Sequence, residues 1–499
     1  MCSDAKETAD WYCIHGTNLY RGLTAWAYAR RMAEKTNAPS FPDGFLWGVA
    51  SAAYQVEGAA NRDGRTPSVW DTFSHTPGKV YEGHTGDIAC GSYDRPDEDA
   101  ELIAKLGAAA YRLSISWPRV LPNGTGTANV EGLDYYNRLI DALLARGVEP
   151  WVTVFHWDLP QVLHDKGGWL HADSPGWFEQ YTELLAERLG DRVKHWFTFN
   201  EPQIFVGHGY ARGIHAPGLE LPQRELLEIS HNVLLAHGRA VQAIRSASPE
   251  KCQIGWAPVG ATAYPTSNDG ATVEASRRWM FRTPEDRASW FAHNTWYSDP
   301  VILGKYPEDG LEMFEADMPE IGADDMATIC QPLDFFGVNI YSAQPIELGP
   351  DGRGRPSKRV RGYPVNTFGW AVEPDSLYWG PKFLSERYGL PVYITENGLS
   401  SMDWVHADGK VHDTGRIDYL CRHLHALRKA VREGVDVRGY FQWSIMDNFE
   451  WAEGYHKRFG LAYVDYETLE RIPKDSYHWY REVIASNGRS IPAELTKLR

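Results

Sequence analysis

The feature that most constrains this chain is an alternation of strand-like and helix-like segments, repeated eight times after Phe41. The strand-like runs are short and rich in β-branched and aromatic residues, as is usual for parallel strands covered on both faces. They span Phe45–Ala50, Ala109–Ser116, Glu149–Phe155, Val193–Phe199, Gln253–Ala257, Asp334–Ile340, Pro391–Thr395 and Val437–Trp443. Helical patterns lie between several of them, at Pro96–Leu106, Leu133–Arg146, Trp177–Leu189, Glu225–Ile244 and Ile417–Arg432. Eight such units predict an α/β fold, a single closed (β/α)8 barrel of the TIM type.

One barrel domain accounts for most of the 499 residues, because α/β barrels often exceed the usual domain length. The 20 Trp and 26 Tyr are enough for one large core. Long insertions at 261–282 and 347–363 predict surface loops around the mouth at the C-terminal face of the barrel. Leu19, Leu23 and Trp26 lie at helical spacing and predict one amphipathic helix before the barrel. We therefore expect an N-terminal extension of unknown role at 1–38 and a barrel domain at 39–499.

Charge and cysteine usage restrict the partners and the compartment. The formal net charge of −16 disfavours nucleic acid or an anionic membrane as a partner. The six cysteines are scattered without a CxxC pair, which is typical of reduced thiols and indicates no metal site. The first residues contain no continuous apolar segment, so we expect neither a signal peptide nor a membrane span, and a cytoplasmic location. The oligomeric state is not predicted.

Two glutamates stand at the ends of predicted strands. Glu201 follows the fourth run and Glu396 follows the seventh. In a barrel of this type the catalytic groups come from the C-terminal ends of different strands. A single strand-end glutamate is more often a helix cap or an ion-pair partner, but two of them predict paired acid chemistry. The other strand ends offer Gln55, Arg112, His156, Asp158, Asn200, Tyr341, Trp443, Glu450 and Trp451.

Seven ordered motifs carry a family resemblance. They are Phe-Pro-Asp-Gly-Phe-Leu-Trp-Gly-Val-Ala (41–50) with Tyr-Gln-Val-Glu-Gly (54–58), Tyr-Arg-Leu-Ser-Ile-Ser-Trp-Pro-Arg (111–119), Phe-His-Trp-Asp-Leu-Pro (155–160), Phe-Asn-Glu-Pro (199–202), Gly-Val-Asn-Ile-Tyr (337–341), Ile-Thr-Glu-Asn-Gly (394–398) and Trp-Ser-Ile-Met-Asp-Asn-Phe-Glu-Trp (443–451). With these, the chain resembles the family-1 glycoside hydrolases, the β-glucosidase family, from Phe41 to about Ile484. It departs from the family in the extension before Phe41 and at Ile340, where an aromatic residue is common.

The resemblance implies a retaining β-glycosidase of the β-glucosidase type. Such an enzyme hydrolyses terminal non-reducing β-D-glucosyl residues from oligosaccharides, as in cellulose degradation, or from aryl and alkyl glycosides. It implies Glu396 as the nucleophile and Glu201 as the acid/base, with Arg112 and Tyr341 close to Glu396. A covalent glycosyl-enzyme then forms, which requires two carboxyl groups about 5–5.5 Å apart. Neither a metal nor a cofactor is implied.

The resemblance also implies how the sugar is held. Hydrogen bonds to its hydroxyls come from Gln55, His156, Asn200 and Glu450. Trp443 supplies an apolar platform for the ring, and Trp451 donates a further N–H group. A pyranose suits such a platform because its axial C–H groups form an apolar patch. Trp370 is expected to stack against the leaving group.

Several alternatives remain open at this point. A β-galactosidase or β-fucosidase could use the same site. A 6-phospho-β-glycosidase is disfavoured because the Glu450 carboxylate would repel phosphate. His156 and Asp158 weakly suggest a metal-dependent amidohydrolase barrel, but the other strand ends are not rich in histidine. A sugar-binding protein without catalysis is disfavoured by the two glutamates, and a Schiff-base aldolase by the lack of lysine at the strand ends.

Overall fold

Eight parallel strands close into a barrel, as the sequence predicts. The computed structural model describes residues 38–284 and 293–496, so the helix expected within 1–38 falls outside the described residues. Each barrel strand pairs with the next in chain order, and the eighth pairs with the first. The strands are Leu46–Ala50, Ala110–Ser114, Glu149–Phe155, His195–Asn200, Gln253–Ala257, Phe335–Asn339, Val392–Asn397 and Val437–Trp443. The (β/α)8 TIM-type prediction is confirmed.

Helices cover the outside of this barrel. Those of ten or more residues are Pro96–Leu106, Val130–Leu144, Ser174–Leu189, Gln223–Ala247, Gly270–Phe281, Asn294–Leu303, Ser376–Tyr388, Thr414–Arg432 and Asp475–Ala485. Shorter α-helices span Ala53–Val56, Val69–Ser74, Trp117–Val120, Gln161–His164, Pro202–Ile204, Glu308–Phe314 and Asp325–Ile329, and a π-helix spans Phe205–Ala211. No helix within 38–284 or 293–496 is long and apolar enough to cross a membrane.

Side chains that alternate along the barrel strands belong to two different hydrophobic clusters. In the third strand Trp151 belongs to a cluster inside the barrel, while Val152 and Val154 belong to the layer between strands and helices. The inner cluster is aromatic and is packed around small residues. At Gly255 a Cβ atom would lie 2.0 Å from the Phe335 ring, so only glycine leaves room for that ring. The inside of the barrel is therefore filled, and a ligand can enter only at an end.

The prediction that the two insertions are surface loops was wrong in part. Thr262–Pro265, Ala343–Leu348 and Gly354–Pro356 form a three-stranded sheet, and Gly270–Phe281 is a helix. The first two strands are parallel although they are far apart in sequence. This sheet stands beyond the ends of the fifth and sixth barrel strands, where it forms part of the mouth. A further two-stranded sheet pairs Ala462–Val464 with Arg471–Pro473.

Candidate active site

A cavity of about 840 Å³ opens at the carboxyl ends of the barrel strands. Nine of the residues predicted for the site line it: His156, Asn200, Glu201, Tyr341, Trp370, Glu396, Trp443, Glu450 and Trp451. Arg112 and Gln55 lie in the wall behind them, where they contact Glu396 and Glu450 respectively. The structure thus brings together all eleven residues that the sequence proposed for catalysis and binding.

Glu396 is the penultimate residue of the seventh barrel strand, and both of its carboxylate oxygens accept hydrogen bonds. Arg112 Nη1 donates to Oε1 at 2.6 Å, and the Tyr341 hydroxyl donates to Oε2 at 2.8 Å. Arg112 is 1% exposed, so this ion pair is shielded from water. Arg112, on the second strand, therefore fixes Glu396 of the seventh strand from across the barrel interior.

Glu201 follows the fourth strand in a left-handed backbone conformation, with φ 43° and ψ 65°. Positive φ is uncommon for a glutamate, and such conformations concentrate at functional sites. Its carboxylate accepts a hydrogen bond from Asn339 Nδ2 at 2.9 Å. Unlike Glu396, it forms no ion pair with arginine or lysine within the described residues.

The two carboxyl groups therefore differ in how readily they bind a proton. Burial, and then the charge of Glu396, raise the pKa of Glu201 to about 8. Burial also raises the pKa of Glu396, but the Arg112 charge and the Tyr341 hydrogen bond oppose that effect. The first proton taken up by the pair thus stays on Glu201, while Glu396 remains ionised. An acid catalyst must start protonated and a nucleophile must start ionised, so these states suit Glu201 and Glu396 respectively.

Asn200 connects the catalytic carboxylates to the sugar-binding side. Its Oδ1 accepts from Arg112 Nη2 at 2.6 Å and from Asn339 Nδ2 at 3.0 Å. Its Nδ2 donates to His156 Nε2 at 3.0 Å. Burial holds the pKa of His156 well below its usual value, so the imidazole is neutral and carries its proton on Nδ1. The Asn200 amide therefore holds the Arg112 guanidinium in place and fixes the tautomer of His156.

A carboxylate and two indole rings form the opposite side of the reacting end. Gln55 Nε2 donates to Phe449 O at 2.9 Å and reaches Glu450 Oε2 at 3.4 Å. Burial raises the pKa of Glu450 well above its usual value, and the charges of Glu396 and Glu201 add to the effect. The rings of Trp443 and Trp451 flank His156 at centroid distances of 5.9 and 5.8 Å. These groups offer both hydrogen bonds and an apolar face to a sugar.

The mouth of the cavity is more open and more apolar. Trp370 is 38% exposed and stacks on Phe368 at 4.6 Å between ring centroids. Its ring centroid also lies 5.5 Å from that of Tyr341, whose hydroxyl donates to Glu396. Ala261, from the first insertion, and Gln344, from the strand Ala343–Leu348, also line the cavity. Trp370 is therefore placed between the reacting end and solvent.

Asp158, a strand-end residue that was given no role in catalysis or sugar binding, does not line the cavity. It is 1% exposed, and burial raises its pKa to about 7. Among the described residues no three His, Cys, Asp or Glu side chains are grouped as metal ligands. No lysine is among the described residues that line the cavity. These placements give no support to the amidohydrolase or aldolase alternatives.

Sequence reasoning missed Asn339 and Trp157. Asn339 ends the sixth strand and donates to both Asn200 and Glu201, and Thr395 Oγ1 donates to its Oδ1 at 2.7 Å. Trp157 lines the cavity and donates from Nε1 to the Asn200 carbonyl at 2.9 Å. A polar residue at the end of an apolar strand, two positions before Tyr341, was the available signal for Asn339.

Comparison with known proteins identifies related sequences along nearly the whole chain. The model of Glycosyl hydrolase family 1 matches residues 37–489. Beta-glucosidase A of Thermotoga maritima is 46% identical over 456 residues, which cover 91% of this chain and 99% of that protein. The 1,4-beta-D-glucan glucohydrolase of Thermotoga neapolitana is 46% identical over 454 residues, covering 90% and 99%.

A solved structure supports the same relationship. The beta-glucosidase of Thermotoga maritima in complex with glucoimidazole superposes with a TM-score of 0.82 at 46% identity. The match covers 90% of this chain and 99% of that one. Sequence and three-dimensional fold therefore agree on the relatives of this chain.

Proposed function

The chain belongs to glycosyl hydrolase family 1, and we propose that it works as a retaining β-glucosidase with Glu396 as nucleophile and Glu201 as acid/base. The observation that carries this proposal is the contrast between the two buried carboxyl groups. Glu396 is held by a guanidinium and a hydroxyl, and Glu201 by an amide alone. The guanidinium and the hydroxyl favour the charge on Glu396, while burial and that charge raise the pKa of Glu201 to about 8 and favour its proton.

In the first step the Glu396 carboxylate attacks the anomeric carbon, and the bond to the leaving oxygen breaks. Glu201 delivers its proton to that oxygen, so the leaving group departs as a neutral alcohol. Tyr341 and Arg112 keep the attacking oxygens in place and free of a proton. The product of this step is a glycosyl ester on Glu396.

The second step uses the same groups in reverse. Esterification removes the negative charge of Glu396, which was one cause of the raised pKa of Glu201. Glu201 has lost its proton and now accepts one from water as the water attacks the anomeric carbon. Two inversions give net retention, and both carboxyl groups return to their starting states.

The sugar ring lies at the reacting end, with its hydroxyls toward His156, Asn200 and Glu450 and its apolar face on Trp443. Gln55 orients Glu450 through the hydrogen bond from Nε2. Glucose is the proposed sugar because the relatives are a beta-glucosidase and a 1,4-beta-D-glucan glucohydrolase. Activity on β-galactosides or β-fucosides is a secondary candidate, since those sugars differ from glucose only at one or two ring substituents.

The leaving group lies at the mouth against Trp370. Both an oligosaccharide and an aryl or alkyl aglycone fit a wall that is largely apolar. A 6-phosphoglucoside is disfavoured, because Arg359, at the mouth, is the one arginine or lysine among the described residues that line the cavity, and none faces the reacting end to pair with a phosphate.

Two further proposals concern the whole chain. We propose that residues 39–499 form one catalytic domain and that residues 1–38 are an extension to it. We also propose a cytoplasmic location, which is supported by four cysteines in the described residues that form no disulfide: Cys90, Cys252, Cys330 and Cys421. Fractionation of the cells that make the protein tests the location.

The test of the proposed reaction is the stereochemistry of a single turnover. Purified protein is mixed with an aryl β-D-glucoside, and the anomeric proton of the first product is followed by NMR before mutarotation. Release of β-glucose supports the proposal. Release of α-glucose would exclude a retaining mechanism, and no turnover would exclude catalysis on glucosides.

A further inference from the structure

The insertion after the sixth barrel strand gives the cavity mouth a positive rim. Residues 350–363 contain five basic side chains and one acidic side chain, Asp351, in a chain whose formal charge is −16. The basic residues are Arg353, Arg355, Lys358, Arg359 and Arg361. This short segment is therefore opposite in charge to the chain as a whole.

Only two of the five cations are neutralised by a neighbouring acid. Arg355 pairs with Glu347 at 2.8 Å, and Arg359 pairs with the buried Glu373 at 2.6 Å. Arg353, Lys358 and Arg361 are exposed and have no ion-pair partner among residues 38–284 and 293–496. Three uncompensated positive charges thus remain on this loop.

One residue of this loop, Arg359, lines the cavity, and two of the unpaired cations are close to it in sequence. Arg359 lines the cavity and is anchored by Glu373 and by the Ala343 carbonyl. Lys358 is its neighbour, and Arg361 follows two residues later, so their Cα atoms lie within about 7.6 Å of that of Arg359. Val365 and Trp370 line the same end and are 57% and 38% exposed. The rim therefore combines an aromatic, apolar surface with free cations.

The reacting end has the opposite character, since Glu201, Glu396 and Glu450 all face the cavity. A neutral leaving group gains hydrogen bonds at most from cations at the mouth, whereas an anionic one also gains charge attraction. An anionic leaving group would be repelled by the Glu396 carboxylate and attracted by the basic residues at the mouth. The basic residues at the mouth therefore favour substrates with an anionic leaving group, which the reacting end alone disfavours.

We infer that this cavity accepts β-glucosides whose leaving group carries a carboxylate, with Lys358 and Arg361 attracting the carboxylate while the rest of the leaving group stacks on Trp370. The inference rests on the proposed β-glucosidase function and specifies its substrate class. An aromatic acid and a sugar acid share the required chemistry, and the experiment separates them.

The experiment measures kcat/KM for two matched pairs of substrates. The first pair is 4-carboxyphenyl β-D-glucoside and its methyl ester, and the second is cellobionate and cellobiose. For each pair the ratio of the acidic to the neutral member is compared between the wild-type protein and the double variant Lys358→Glu/Arg361→Glu. This double ratio cancels the intrinsic difference in leaving-group reactivity. We expect the variant to lower it roughly tenfold at low ionic strength, and less as salt is added.

A matched control reverses two cations at the other end of the barrel. Arg188 and Lys251 are exposed and precede the fourth and fifth strands, so Arg188→Glu/Lys251→Glu changes the net charge equally without altering the mouth. The control should leave the double ratio unchanged.

A drop for only one pair identifies the leaving group as the aromatic acid or the sugar acid. Double ratios within twofold of wild type for both pairs, or an equal drop in the control, would overturn the inference. Failure of the wild-type protein to hydrolyse the methyl ester and cellobiose would instead overturn the proposed function.

Discussion

The reacting end of the cavity and its mouth are built in different ways. The reacting end consists of side chains at the ends of barrel strands, nearly all buried and joined by hydrogen bonds such as those from Arg112 and Asn339. The mouth consists of residues from the insertions and from the loop around Trp370, with exposed aromatic and basic side chains. Strands hold groups to the precision that bond breaking requires, while loops can change without disturbing them.

Bond breaking and leaving-group specificity therefore depend on different regions of this molecule. A change at the reacting end should act on the bond-breaking steps for every substrate. A change at the mouth should act according to the leaving group. Substitutions at each end of the cavity therefore test this division.

Replacing Glu396 with alanine should reduce hydrolysis of an aryl β-glucoside by about 10⁴ to 10⁶-fold, because it removes the atom that forms the covalent bond. The thermal midpoint should fall, since the buried Arg112 guanidinium is left without its ion-pair partner. Steady-state kinetics and a thermal melt measure the two effects. A folded variant that retained a few per cent of wild-type activity would show that Glu396 is not the nucleophile.

Replacing Glu201 with alanine should affect substrates unequally, because an acid matters only when the leaving group needs a proton. For a sugar or alkyl leaving group we expect a loss of about 10²–10⁴-fold in bond breaking. A dinitrophenyl glucoside should lose far less in that step and should accumulate glycosyl-enzyme. Added azide should restore turnover and give the β-glucosyl azide, which NMR identifies. Equal losses for both leaving groups, or an α-azide, would contradict the acid/base role.

Replacing Asn339 with alanine should change the pH dependence of kcat/KM. Glu201 acts as an acid only while protonated, so activity should fall as the pH rises above its pKa of about 8. The hydrogen bond from Asn339 favours the carboxylate and lowers that pKa. Its loss should move the alkaline limb of the profile to higher pH, with about a tenfold loss at the optimum.

A matched control for this change is Asn397→Ala. Asn397 is also a buried amide at a strand end, but it donates to the Ile340 carbonyl and to the Tyr419 hydroxyl at 2.7 and 3.0 Å. Its loss should lower stability without moving the alkaline limb. If both variants moved the limb equally, Asn339 would have a structural role only.

Replacing Trp370 with alanine should have the smallest effect and should depend on the leaving group. Loss of one aromatic contact of about 1 kcal/mol corresponds to roughly a fivefold fall in kcat/KM for an aryl glucoside or cellobiose. Glucosyl fluoride, whose leaving group is too small to reach the ring, should be almost unaffected. Comparable losses for both would mean that Trp370 supports the reacting end, and the division between the two regions would fail.

The same division explains what the sequence could and could not predict. The barrel strands were located to within two residues because each is a local run of β-branched and aromatic residues. The site residues followed because barrel geometry brings strand ends together. The small sheet at the mouth was missed because Thr262–Pro265 pairs with Ala343–Leu348 across a long separation, and prolines in its strands hide the strand pattern.

Asn339 was missed for another reason. Its residue type is unremarkable at a strand end, and its role depends on the approach of Glu201 and Asn200 from the fourth strand. The pairing of Asn339 with Glu396 in adjacent strands places it between the two carboxyl groups. Such a contact between strands distant in sequence is visible only in the folded barrel.

The covalent role of Glu396 is central to the proposed reaction, and trapping the intermediate tests it directly. The protein is incubated with 2-deoxy-2-fluoro-β-D-glucosyl fluoride, whose fluorine at C2 slows breakdown of the glycosyl-enzyme, and is then digested and examined by mass spectrometry. The account predicts one fluoroglucosyl group, attached to Glu396 in the peptide that contains Ile394–Gly398. A label on Glu201 or another residue, or turnover of β-glucosides without any covalent adduct, would contradict it.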